Sequence, residues 1–229
     1  MTIRDNLQTI GQRIRAAEQR YGRPAGSVQL LAVSKHHPTG ALQEAYAAGQ
    51  RLFGENYAQE MAEKALELAV GNRDIEWHFI GPIQSNKTKQ IASIATWVHS
   101  VDRFKIAQRL SEQKPADAPP IQICLQVNIS REASKSGVLP EALPELAAQI
   151  TALQGVRLRG LMAIPAPDMD SRQQRATFAQ VRQLQEQLNT QGFALDSLSM
   201  GMTDDMEAAI AEGATLVRIG TAIFGARHY

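Results

Sequence analysis

The stretch VQLLAVSKHHPTGALQEAYA, residues 28–47, reads as a strand followed by a helix. Val28–Val33 is a short branched apolar run, the composition of a buried strand. Past the turn at Pro38, the pattern from Thr39 to Ala48 becomes helical. Working outward, the same unit recurs along the chain. Further strands are predicted at Arg51–Gly54, Glu76–Ile80, Thr96–Ser100, Ile121–Asn128, Val156–Ile164, Ser197–Met200 and Ala214–Gly220. Helical patterns lie between them at Asn56–Ala69, Ser85–Ile94, Arg103–Glu112, Pro140–Ala152, Ser171–Gln191 and Thr203–Glu212. Strands alternating with helices imply right-handed βαβ units and a parallel sheet. Eight such units predict an α/β chain closed into a (β/α)8 TIM barrel, typically of about 250 residues. An open doubly wound sheet is the structural alternative. The proline-rich Lys114–Pro120 reads as a loop, because the alternation continues unchanged on both sides. The expectation is one domain over residues 1–229.

Upstream of the first strand, Leu7, Ile10 and Ile14 sit at helical spacing with charged residues around them. This predicts an extra N-terminal helix packed on the barrel. The segment lacks the apolar core of a secretory signal, and Asp5 and Glu18 are unusual in a mitochondrial presequence.

Composition narrows the classes. A 229-residue chain that is 44% hydrophobic and 21% charged is an ordinary globular one, and at this length it needs no disulfide or metal to fold. Lys and Arg number 24 against 23 Asp and Glu, so no global positive field favours a nucleic acid. A single cysteine, Cys124, excludes an internal disulfide and any multi-cysteine metal site. No run approaches the ~18 apolar residues of a membrane-spanning helix. A reduced, cytoplasmic protein without nucleic-acid, membrane or metal partners is expected.

Active sites of such barrels lie at the C-terminal ends of the strands. Lys35 follows the first strand on the same face as Leu31 and Val33. Desolvation there would lower its pKa and supply a free amine, the nucleophile of Schiff-base chemistry; alternatively the side chain snorkels to solvent. The seventh and eighth strands end in Ser199-Met200-Gly201-Met202-Thr203 and Gly220-Thr221, where barrels commonly hold phosphate. The glycines would let an anion reach backbone N–H groups, with Ser199, Thr203 and Thr221 adding hydroxyls. Thr203 otherwise reads as the cap of the next helix. Arg218 shares a face with Gly220. It would keep an aromatic ring nitrogen unprotonated, or pair with an acid at the mouth such as Glu55. On the fifth strand, Gln122, Cys124, Gln126 and Asn128 should face the barrel interior, with Cys124 a structural thiol and Asn128 nearest a ligand. His78 reads as an interior hydrogen-bonded histidine or a ligand contact. His36 and His37 are adjacent and point apart, so they make no ready metal pair.

Six segments, in order, resemble one family: AVSKHHP around Lys35, FGENYAQE (Phe53–Glu60), WHFIGPIQSNK (Trp77–Lys87), SKSG (Ser134–Gly137), LSMGMTDD (Leu198–Asp205) and RIGTAIFG (Arg218–Gly225). The chain is similar to the pyridoxal-phosphate homeostasis proteins, the YggS/PROSC family. The resemblance implies the barrel of the alanine racemase N-terminal domain, the fold-type III architecture of pyridoxal-phosphate proteins. It implies that Lys35 carries pyridoxal 5′-phosphate as an internal aldimine. Ser199, Met200, Gly201, Gly220 and Thr221 match the family's phosphate-binding stretches. Arg218 resembles the arginine facing the pyridine nitrogen, and Asn56 and His78 stand at pocket-lining positions. Two departures stand out: His37 replaces a frequent second lysine, and the chain stops at Tyr229 without the lysine-containing tail of some members. Lys135 is retained.

An arginine at the ring nitrogen weakens the cofactor's electron sink. Racemases of this fold draw a tyrosine base from a second, β-rich domain, and the strand count leaves no residues for one. Of the four tyrosines only Tyr57 falls near a strand end. The expectation is a monomeric carrier for vitamin B6 homeostasis with no catalytic residue, serving pyridoxal-phosphate-requiring apoenzymes. An amino-acid racemase or related enzyme is the first alternative and a Schiff-base aldolase the second.

Overall fold

Branched and aromatic residues at period two build the eight strands, and each strand must cross to its parallel neighbour through a helix. The computed structural model describes residues 2–72, 74–132, 135–166 and 170–226. In chain order the elements are α1 (Ile3–Arg20), β1 (Gln29–Val33), α2 (Thr39–Ala47), β2 (Leu52–Glu55), α3 (Ala58–Leu68), β3 (Glu76–Phe79), α4 (Thr88–Ile94), β4 (Trp97–Val101) and α5 (Phe104–Gln113). They continue with β5 (Ile121–Val127), α6 (Leu143–Thr151), β6 (Val156–Ala163), α7 (Ser171–Thr190), β7 (Ser197–Ser199), α8 (Met206–Ala211), β8 (Leu216–Ile219) and α9 (Thr221–Phe224). All neighbouring strands pair in parallel, and β8 pairs back to β1, with Leu31 opposite Arg218 and Ala32 opposite Ile219. The barrel closes as expected, and the open sheet is excluded.

Apolar faces divide between two cores. The larger lies between barrel and helices and includes Phe53, Phe79, Ile106, Val181 and Ile219. A small separate cluster of Trp97, Cys124 and Met162 fills the barrel's inside. Ile121, Ile123, Leu125 and Val127 of β5 join the outer core while Cys124 joins the inner one, as period two requires.

The N-terminal helix forms with a capping box, Thr2 and Asp5 each receiving the other's backbone N–H. It buries Ile10, Ile14 and Ala17, with Leu7 partly covered. Its buried Glu18 accepts the N–H groups of Gly26 (3.1 Å) and Val28 (2.9 Å), which anchors the entry to β1. Asn6 donates to the Ile223 carbonyl at 2.8 Å and so ties α1 to α9.

Several helices start later than their spacing predicts. Residues 56–57, 85–87 and 203–205 lie in the loops that leave the strands, and Pro140–Ala142 forms a single 3₁₀ turn. Thr203 does not cap α8. Its N-cap is Asp205, whose carboxylate instead accepts the Met202 N–H at 2.5 Å. Local hydrogen bonding in the loop overrides helical propensity there.

Candidate functional site

Strand register carries the predicted residues to one end of the barrel. Ser34 extends β1, its N–H donating to the Gly54 carbonyl at 3.0 Å, and Lys35 follows in the turn, partly buried. Gly220, the N-cap of α9, packs against the Val33 backbone, and an added Cβ would lie 3.1 Å from the Val33 oxygen. Lys35, Gly220 and Thr221 therefore belong to the β8–β1 side of the mouth. Met200 and Gly201 are buried just past β7. Gly201 has φ +97°, a Cβ there would stand 2.6 Å from that of Ala209, and its carbonyl accepts the Arg218 N–H at 2.9 Å. Only glycine fits that turn.

On the β2–β6 side the mouth opens into a cavity of about 270 Å³, lined among others by Asn56, Ile80, Gln126, Asn128, Lys135 and Ile164. The Asn56 side-chain oxygen is buried there without a hydrogen-bond partner among the described residues. Asn128 lines the wall, but its amide donates to the Glu132 (2.8 Å) and Lys135 (3.3 Å) carbonyls, so it braces the β5–α6 loop. Lys135 pairs with Glu132 at 2.9 Å. Ser134 and Tyr229 lie outside the described residues.

One layer below the mouth, a row of polar side chains crosses the barrel. The His78 Nδ1 meets His99 Nε2 at 2.8 Å, and His99 Nδ1 meets the Ser199 hydroxyl at 2.7 Å. Arg218 donates to that hydroxyl (2.8 Å), to the Ser199 carbonyl (2.6 Å) and to the Ala163 carbonyl (2.9 Å). All four residues are buried. His78 is thus an interior histidine, stacked on Trp97 with rings 3° from parallel. The Ser199 hydroxyl is spent on His99 and Arg218 rather than presented at the mouth. Burial lowers the His78 pKa to about 3 and holds His99 well below the ordinary value, with His78 and Arg218 adding to the effect on His99. Burial also lowers Arg218 to about 10, with Asp205 pulling it back upward; the guanidinium stays charged at neutral pH. Its acidic neighbour is Asp205 rather than Glu55, which pairs instead with Lys64 at 2.7 Å. The Cys124 thiol is pushed up to about 12 by burial, as befits a structural residue.

Sequence reasoning passed over His99, although its spacing from Trp97 puts both on one face of β4. It also passed over Lys64, which stands on the apolar stripe Met61–Lys64–Leu68 of α3 and is buried. A lysine on such a stripe was the available signal.

The arrangement suits a polar, anionic compound. It has an amine-bearing residue at a strand end, a fixed guanidinium beneath the mouth, an unpaired buried acceptor on Asn56 and two glycine turns. The model of the alanine racemase N-terminal domain family matches residues 6–228. The pyridoxal phosphate homeostasis protein of Pseudomonas aeruginosa is 59% identical over 228 residues, covering 100% of this chain and 97% of that one. That of Escherichia coli K12 is 50% identical over 228 residues, covering 99% and 97%. Among solved structures, PipY of Synechococcus elongatus PCC7942 with PLP bound superposes with TM-score 0.85 at 39% identity, covering 98% of this chain and 100% of that one.

Proposed function

Because the chain belongs to the alanine racemase N-terminal domain family, we propose that it binds pyridoxal 5′-phosphate on Lys35 and serves vitamin B6 homeostasis with little or no turnover. The cofactor supplies an aldehyde, which the Lys35 amine would hold as a Schiff base, the aldehyde oxygen leaving as water. Arg218 would face the pyridine nitrogen as a permanent donor. Met200, Gly201, Gly220 and Thr221 would receive the phosphate, with Ser199 behind them holding Arg218, and Asn56 and His78 would border the ring. The observation that carries the reading is the buried Arg218, fixed by three hydrogen bonds beneath the mouth that Lys35 borders. A guanidinium there leaves the ring nitrogen unprotonated and the electron sink weak. Tyr57 is 51% exposed and leans on His36, its ring 5.2 Å away, so it offers no buried base. The names of the Pseudomonas and Escherichia relatives support a homeostatic role.

The same reading takes residues 1–229 as one domain acting as a cytoplasmic monomer, with pyridoxal-phosphate-requiring apoenzymes as recipients. No helix among the described residues is long and apolar enough to cross a membrane.

Borohydride reduction after incubation with pyridoxal 5′-phosphate, followed by peptide mass mapping, tests the site. A pyridoxyl group on Lys35, absent in Lys35→Ala, is expected; attachment elsewhere or none refutes the assignment. Incubation with alanine tests turnover. Inversion at enzyme-like rates, abolished by Lys35→Ala, would establish the racemase reading instead.

A further inference from the structure

Lys64, Glu55 and Glu60 form an ion cluster between β2 and α3, outside the barrel wall, with Lys64 and Glu55 buried and Glu60 partly exposed. The Lys64 ammonium donates to the Glu55 carboxylate, the Glu60 carboxylate and the Ser34 carbonyl, each at 2.7 Å, which uses all three of its N–H bonds. The same Glu55 oxygen accepts the Ser34 hydroxyl at 2.7 Å. The same Glu60 oxygen accepts the His36 N–H at 2.6 Å. These contacts bracket Lys35. The Ser34 carbonyl belongs to the peptide plane before Lys35, and the His36 N–H belongs to the plane after it. Both planes are held by one cluster, so the direction of the Lys35 Cα–Cβ bond is fixed between them. His36 completes the turn at φ +65°, a left-handed conformation that a non-glycine residue keeps only when its surroundings impose it.

Stability alone is a poor account of such a cluster. Lys64 is 5% and Glu55 0% exposed, and an apolar pair of similar size would fill the space at no greater cost. What an apolar pair would not supply is a donor for the Ser34 carbonyl and a cation to hold Glu60, whose carboxylate accepts the His36 N–H.

We propose that Lys64, Glu55 and Glu60 are positioning residues that aim the Lys35 amine into the barrel mouth by clamping the two peptide planes that flank it. The proposal rests on the reading of Lys35 as the attachment residue and deepens it.

The test uses the full chain. Glu60→Ala removes the His36 anchor and leaves the Lys64–Glu55 pair in place. Glu60→Gln keeps an oxygen that accepts from both Lys64 and His36. Lys64→Met removes the donor to the Ser34 carbonyl and leaves Glu55 and Glu60 without their shared cation, and thermal melting of each unliganded variant separates misfolding from misalignment. Two readouts follow: the rate at which acetic anhydride labels Lys35 in the unliganded protein, and the retention and absorbance maximum of added pyridoxal 5′-phosphate. Glu60→Ala is expected to change the Lys35 labelling rate at least threefold and to weaken cofactor retention about tenfold with a shifted absorbance maximum. Glu60→Gln should stay within twofold of the parent on both. Equal labelling, retention and spectrum in parent, Glu60→Ala and folded Lys64→Met would overturn the clamp. If the parent itself takes no pyridoxyl group on Lys35, the reading of the site falls. The clamp is then judged on labelling alone, where an unchanged rate in Glu60→Ala overturns it.

Discussion

Ser199 has one hydroxyl proton and two partners, and that fixes more than its own geometry. Arg218 can only donate, so the Ser199 oxygen accepts from it. The hydroxyl proton then goes to His99 Nδ1, which makes His99 an Nε2–H tautomer donating to His78 Nδ1. His78 is left with its proton on Nε2, which has no hydrogen-bond partner among the described residues but lies 4.0 Å from the Glu76 carboxylate. The reverse polarity would strand the serine proton and turn the His78 lone pair toward that carboxylate. Nitrogen-15 NMR should therefore find both histidines neutral and protonated on Nε2 from pH 5 to 8. Ser199→Ala leaves His99 without its donor and Arg218 without one acceptor, which should cost about 1–3 kcal/mol in urea unfolding. An unchanged midpoint would mean that Arg218 is held by the two carbonyls alone.

Strand–loop–helix units are the scale at which this molecule was most legible. Short apolar runs and longer amphipathic runs alternate along the chain, which marks all eight strands and the helices between them. Their boundaries were less legible where loop chemistry intervenes. Residues 203–205 have helical composition, yet the Asp205 carboxylate is used on the Met202 N–H and the helix waits until Met206. Lys35, Gly201 and Gly220 stood out by strand-end position, whereas Asn56 and Met200 came only with the family resemblance. The support beneath and behind them was not legible, since His99 and Lys64 act through partners 100 and 30 residues away in sequence. The β7–α8 loop also carries its own prediction. Gly201→Ala would place a methyl 2.6 Å from Ala209 at φ +97°, two faults that together should cost about 2 kcal/mol or more. Because the Gly201 carbonyl holds the Arg218 N–H, the variant should lower both the urea midpoint and pyridoxal 5′-phosphate retention. Loss of stability with full retention would detach this loop from the site.

For the molecule as a whole, the barrel interior dictates how it responds to acid. An unfolded histidine takes up a proton near pH 6.5, whereas the fold holds His78 down to about 3 and His99 also well below its ordinary value. Between those limits the unfolded chain binds protons that the folded one refuses, so stability falls as pH falls. The stabilisation is complete above pH 6.5 and declines below it, by about 1.4 kcal/mol per pH unit for each histidine. Glu55 acts in the opposite sense: burial raises its pKa, so its protonated form returns some stability as pH falls, one carboxyl against two histidines. The histidine slope should accordingly dominate from pH 6.5 to about 5. Urea midpoints are expected to be level from pH 8 to 7 and to drop steadily from 6.5 to 5. His99→Gln, which keeps a hydrogen-bonding side chain without a titrating proton, should show about half the slope. A level midpoint down to pH 5 would mean that the folded interior accepts the protons. A second and third cation would then stand beside Arg218, and the neutral row that isolates its charge beneath the mouth would not exist.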